Sequence, residues 1–216
     1  MYPILFVFLV GMGIALERWL ELSRTRNINR KVWDKLYPML SKGQLGRVRQ
    51  AISKDTSTIS KMLGMGLARH SGVRRREDVE IAMEESMMEI IPQLEKRTPY
   101  VALLSNIATL LGLLGTIMGL IEAFTAVANA NPAEKANLLS ASISVAMNTT
   151  AFGLMSAIPL LLLHAKITST TGQVIDSLEM ASVKVLNSIS MSQRRKFEKN
   201  DSNFTETPPD LAQSRN

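Results

Sequence analysis

The sequence predicts an all-α, polytopic membrane protein in which three transmembrane helices are extended by long cytoplasmic helices. Three observations carry this. Positions 1–16, 98–121 and 138–165 contain no Asp, Glu, Lys or Arg, although the chain as a whole is 20% charged. Two of these stretches exceed the roughly 20 residues that a helix rising about 1.5 Å per residue needs to cross about 30 Å of hydrocarbon. Outside them, apolar residues recur at steps of three and four, the period of a helix with one buried face. The chain of 216 residues has no cysteine, 46% hydrophobic and 5% aromatic residues, and a net charge of +6. That pattern excludes a disordered chain and a disulfide-stapled secreted domain. It also argues against an ordinary globular enzyme.

The first element, 1–16, is a short span with its amino terminus outside. It stops at Glu17-Arg18-Trp19. It crosses with local thinning of the bilayer, Arg18 snorkelling to the headgroups and Trp19 in the interface. A cleaved signal peptide is the rival reading, but the stretch lacks a basic leading region and an A-x-A-like cleavage site. Residues 17–99 form a cytoplasmic helical domain. Ser41-Lys42-Gly43 and Ser71-Gly72 break it, and Asp55-Thr56-Ser57 caps the helix carrying Ile59, Met62, Leu63 and Leu67. From Glu77, the residues Val79, Met83, Met87 and Ile90 mark an amphipathic helix that Pro92 and Pro99 are expected to bend or break.

The second span covers 100–128, and a short periplasmic loop, 129–137, joins it to the third at 138–165. Ile167, Thr171, Val174, Leu178, Ala181, Val185 and Ser188 then alternate steps of four and three, a coiled-coil-like stripe that continues the third span as a cytoplasmic helix over 166–192. The polar stretch 193–216 reads as a disordered tail. Orientation follows from the basic residues: 17 Lys and Arg in 17–100 and seven in 166–216, against one, Lys135, in the loop. The basic regions face the cytoplasm. This accounts for the net charge without nucleic acid, because acids interrupt the basic residues and no aromatic stacking residues lie among them. The methionines, at helical spacing, read as core filling.

Within the spans, small and hydroxylated residues form rows. Ser105, Thr109, Gly112, Thr116, Gly119 and Ala123 alternate steps of four and three along span 2. Ala146, Thr150, Gly153 and Ala157 do the same along span 3, with His164 farther on the same line. Such rows let helices approach closely and bond through hydroxyls, so they face protein rather than lipid. Depth adds to this. Thr116 is 16 residues from Tyr100 and Thr150 is 15 from Ala165, which puts the hydroxyls within about 2 Å of one level. Two rows at matched depth form a polar ring once subunits assemble. No span carries a mid-depth acid or base, so a partner has to supply the acid that an ion-moving device needs.

LLGLLGTIMGLIEAF at 110–124 and AMNTTAFGLMSAIPLLLLH at 146–164 resemble the second- and third-span signatures of the ExbB/TolQ/MotA proton-channel family, and Glu17-Arg18 resembles its Glu-Arg placement after span 1. The ExbB/TolQ branch fits better, since MotA-like proteins have four spans. The resemblance implies a pentamer in the bacterial inner membrane around a dimeric, single-span ExbD/TolR-like partner that supplies a membrane aspartate. Ion flow then drives a periplasmic or outer-membrane machine, such as a TonB-type transport system with its energy transducer. It implies that Thr116 and Thr150 are the channel threonines. Val145 stands where ExbB and TolQ carry a glutamate, while Thr149 and Asn148 add neutral oxygens, so both H+ and Na+ stay open as the transported ion. Asn148 points nearly opposite to Thr150.

The expected site is therefore an ion pathway at Thr116, Thr150 and Thr149, with the remaining small residues lining or packing it and His164 as an inner-end polar group. No metal or other cofactor is expected. The alternative is a non-conducting membrane scaffold whose cytoplasmic helices bind partners. An enzyme is disfavoured because no nucleophile–base or metal-ligand spacing is present.

Overall fold

A computed structural model describes residues 2–70, 76–128 and 130–205. Among these, every regular element is a helix: α1 Tyr2–Ser41, α2 Leu45–Ser53, α3 Thr58–His70, α4 Arg76–Glu95, α5 Thr98–Ala128 and α6 Lys135–Thr205. Three of them, α1, α5 and α6, contain stretches long and apolar enough to cross a membrane. The chain divides into two compact units.

Unit 1 comprises 1–26 and 92–173. It is a three-helix bundle. Ile4 of α1, Ala108 of α5 and Ala157 of α6 form its buried cluster, with Val7, Leu111 and Phe152 packed against it. Gly11 lets α1 lie close, since a Cβ there would come within 3.0 Å of Leu160 and 3.5 Å of Leu104. The α5–α6 contact is made of small residues, while many large ones point outward: Phe6, Leu110, Ile121, Met155 and Leu162 are all exposed. A water-soluble bundle would reverse that arrangement, whereas hydrocarbon solvates such a surface at no cost.

Unit 2 comprises 27–91 and 174–216. Here the large side chains are inside: Leu36, Ile59, Met62, Leu63, Met83, Leu178 and Ile189 are buried. α1 ends at Ser41 because Gly43 takes the left-handed conformation (φ 70°). The Gly43 N–H then bonds Leu40 O at 2.9 Å and the Gln44 N–H bonds Met39 O at 3.0 Å, a pair of bonds that closes a helix end. α3 starts where Ser57 Oγ accepts the Ser60 N–H at 3.3 Å, with Ser57 itself held by Asp55. The stripe on α6 is buried from Ile167 through Val185, Ser188 is half-buried, and Ile189 takes the next buried position.

Three expectations change. Pro92 does not end α4, which continues to Glu95. Pro92 is exposed, so the carbonyl one turn back that loses its partner can be solvated. The break falls instead at Lys96-Arg97, where Arg97 has φ 65°, and Pro99 sits in the first turn of α5, where no N–H is needed. The tail expected to be disordered from 193 is helical through Thr205. Gln, Arg, Lys and Glu dominate its first half, and no Pro or Gly interrupts it before Pro208. Residues 206–216, and the expected break at Ser71-Gly72, lie outside the described residues. The first apolar stretch does not stand alone: from Tyr2 it is the start of a helix that runs unbroken to Ser41.

Candidate functional site

The two rows of small residues meet each other inside one chain. At Gly112 and Gly153 the backbones of α5 and α6 touch. A Cβ on Gly153 would lie 2.8 Å from Gly112 Cα and 3.0 Å from Ala108 O, and one on Gly112 would lie 3.1 Å from Gly153 Cα. On one side of this crossing, Ser105 Oγ donates to Ala157 O at 2.8 Å, fully buried. On the other, a Cβ on Gly119 would press into Ala146 at 2.8 Å. Ala123 continues the buried row.

The crossing sets Thr116, one turn beyond Gly112, against Thr150, one turn before Gly153. Their hydroxyls hydrogen-bond to each other. Thr116 Oγ1 also lies 3.2 Å from Gly112 O, and Thr150 Oγ1 lies 3.1 Å from the same carbonyl. Two hydroxyls own two protons. One proton joins the pair and the other is given to Gly112 O. The oxygens keep unused lone pairs, and both residues are half-buried rather than sealed. The pair can therefore accept a proton-bearing or cationic group, or rotate a hydroxyl outward and donate to an anion. The two hydroxyls, expected to form a ring once subunits assemble, meet each other within a single chain.

Thr149 is half-buried beside the pair. Its methyl packs at Gly115, and its hydroxyl donates to Val145 O on its own helix at 3.1 Å. Thr109 leaves the row: it is exposed and bonds back to Ser105 O at 3.2 Å. Ala108 takes its place at the interface, buried against Ile4 and Ala157. His164 is half-buried, about 21 Å along α6 from Thr150 by residue rise, and does not join the pair. Val145 is 66% exposed and Asn148 is also exposed. Among the described residues no group of His, Cys, Asp or Glu is arranged to hold a metal ion.

Two features escaped the sequence reading. Gly115 is required by the Thr149 methyl; its place three residues after Gly112 was the available signal. Arg18 is not snorkelling. It is 4% exposed, and its Nη2 donates to Leu94 O at 2.6 Å and Gln93 O at 3.4 Å, while Nη1 pairs with Glu21 at 2.5 Å. Those carbonyls belong to the last turn of α4, which the helix itself leaves unpaired. Next to it, Glu17 pairs with Arg97 at 2.7 Å. The Glu17-Arg18 dipeptide thus fastens α1 to the turn from which α5 begins. A charged pair following an apolar run reads equally well as a membrane boundary, so only the position of α4 reveals this.

A family model described as the MotA/TolQ/ExbB proton channel family matches residues 54–180. The chain is 28% identical over 83% of its length to a biopolymer transport ExbB homolog of Methanothermobacter thermautotrophicus, covering 63% of that protein. It is 35% identical over 54% of its length to the biopolymer transport protein exbB1 of Vibrio cholerae, covering 50% of it. It is 33% identical over 40% of its length to the Tol-Pal system protein TolQ of Haemophilus influenzae, covering 37% of it. The chain thus spans less than two thirds of the length of each of these relatives.

Proposed function

The chain belongs to the MotA/TolQ/ExbB proton channel family, and from that premise we propose that it is the multi-pass subunit of an ion-motive-force-driven motor in a bacterial inner membrane. In this reading it assembles as a pentamer around an ExbD/TolR-like single-span protein that supplies a membrane aspartate. It converts H+ or Na+ flow into work on a periplasmic or outer-membrane partner, such as a TonB-type energy transducer. The observation that carries the reading is the hydrogen-bonded Thr116–Thr150 pair at the α5–α6 crossing.

The mechanism follows from what a hydroxyl can do. A neutral carboxylic acid from the partner donates a hydrogen bond from its O–H to a threonine oxygen and keeps its proton. Once it has released its ion, the carboxylate is charged in a low-dielectric surround and needs donors. A threonine hydroxyl turns from acceptor to donor by rotating one bond. The site therefore serves both charge states of the partner acid. Alternation between equivalent sites on successive subunits turns ion binding and release into directed motion.

The test is ion flux in proteoliposomes holding the chain and its single-span partner. Thr150→Val and Thr116→Val keep the shape and remove the hydroxyl. Each is expected to lower flux at least about tenfold with assembly unchanged, the loss of one hydrogen bond to a charged group. Undiminished flux in both overturns the mechanism.

A second reading, the non-conducting scaffold, is favoured by one observation: the Gly112–Gly153 contact by itself accounts for the small residues as packing. It predicts that an uncoupler leaves the protein's biological activity unaltered.

A further inference from the structure

Unit 2 holds a cavity of about 540 Å³ between the end of α1 and the last third of α6, a volume within the range of small-molecule sites. We propose that it binds a phosphate monoester carrying a small apolar or aromatic body.

The argument begins with the polar groups that remain available. Three carbonyls in the last turn of α1 already have partners. Leu40 O accepts the Gly43 N–H at 2.9 Å and the Ser188 hydroxyl at 3.0 Å, Met39 O accepts the Gln44 N–H, and Pro38 O accepts the Ser41 hydroxyl at 3.1 Å. The charged groups of the lining are the amines of Lys42 and Lys184, the Asn187 amide adds a further donor, and no acidic residue lines it. Among the described residues neither amine has a carboxylate partner. Lys184 Nζ is instead held over the rings of Tyr37, at 4.7 Å, and Trp33, at 5.8 Å. A cation fixed by ring faces keeps its N–H groups for a ligand.

The charge count selects the class. Two amines facing one cavity are balanced by a dianion, and a phosphate monoester is close to one at neutral pH. A carboxylate leaves one amine unmatched. Phosphate also accepts several charge-assisted bonds at once. Beside the hydroxyls of Ser41, Ser188 and Ser192, the lining has an apolar wall of Tyr37, Leu40 and Met191, with Tyr37 47% and Met191 61% exposed. Gly43 keeps its side open, since a Cβ there meets nothing within 4 Å. A bare phosphate leaves this wall uncovered; a nucleoside or short acyl body covers it. The same chemistry is presented by a soluble mononucleotide and by the head of phosphatidic acid.

The experiment titrates the full chain in detergent with AMP, inorganic phosphate, dihexanoyl phosphatidic acid and adenosine. It reads the fluorescence of Trp33 in a Trp19→Phe background. Saturable binding of AMP or dihexanoyl phosphatidic acid is expected, tighter than inorganic phosphate and absent with adenosine. The tighter of the two names the source. Lys42→Ala with Lys184→Met is expected to weaken binding by about tenfold or more, the loss of charge-assisted bonds, while Lys184→Arg retains it. The proposal is overturned if neither ester binds with a Kd below about 1 mM, if the double variant binds as well as the parent, or if adenosine binds equally. Lys42 is exposed, so Lys42→Ala alone gives a reading even where the double variant folds poorly. Ion flux does not enter this test, so its outcome is independent of the motor reading.

Discussion

The two units hide opposite things. Unit 1 buries Gly112, Gly153, Ser105, Ala108, Ala146 and Ala157 and turns leucines and phenylalanines outward; unit 2 buries Leu36, Met62, Met83, Leu178 and Ile189 and turns charges outward. The difference shows which force holds each together. In water, removing large apolar side chains from solvent stabilises a fold. In hydrocarbon that gain vanishes, because a leucine is equally content against lipid. What remains is close backbone approach and polar bonds between helices. At the α5–α6 crossing unit 1 therefore needs its smallest residues, although Ile4, Leu22, Leu160 and Ile167 are buried elsewhere in it, where the core of unit 2 needs its largest.

Substitutions of opposite sense should break the two regions. The largest effect is expected for Gly153→Leu, which drives a side chain into the α5 backbone, where even a Cβ finds Gly112 Cα at 2.8 Å. It should separate α5 from α6 altogether, read as loss of a disulfide engineered between Ser105→Cys and Ala157→Cys. A variant that still forms this cross-link efficiently would refute the account of unit 1. Next is Leu178→Ala in unit 2, fully buried. It should cost about 3 kcal/mol, measured by denaturant unfolding of unit 2, with the cross-link in unit 1 retained.

Arg18→Met sharpens the contrast, because it removes the one charge that unit 1 buries among described residues. Two carbonyls at the end of α4 lose their donor, at a cost of about 2 kcal/mol, visible as faster amide exchange around Leu94 and Thr98. The smallest effect is Ser105→Ala. Hydrogen bonds between membrane helices average about 0.6 kcal/mol, so a shift of that size in detergent unfolding is expected. A cost above about 2 kcal/mol would mean that hydroxyl bonds, rather than contact of glycine backbones, hold the crossing.

The sequence by itself determined the helical class, the three apolar spans, the rows that hold Thr116 and Thr150, and the buried stripe from Ile167 to Val185. These depend on local quantities, the period of a helix and the thickness of a bilayer, which a single pass along the chain measures. Even their failures are local. A step of four selects Thr109 where Ala108, a step of three, is the buried residue, and polarity selects a disordered tail from Gln193 where helix propensity governs through Thr205. Tertiary structure alone decided which row meets which. Thr116 finds Thr150 at a separation of 34 residues, Arg18 finds Leu94 at 76, and Glu17 finds Arg97 at 80. A helical period states which face is buried but not what buries it, because the partner lies on another helix whose position is fixed only when the backbones pack.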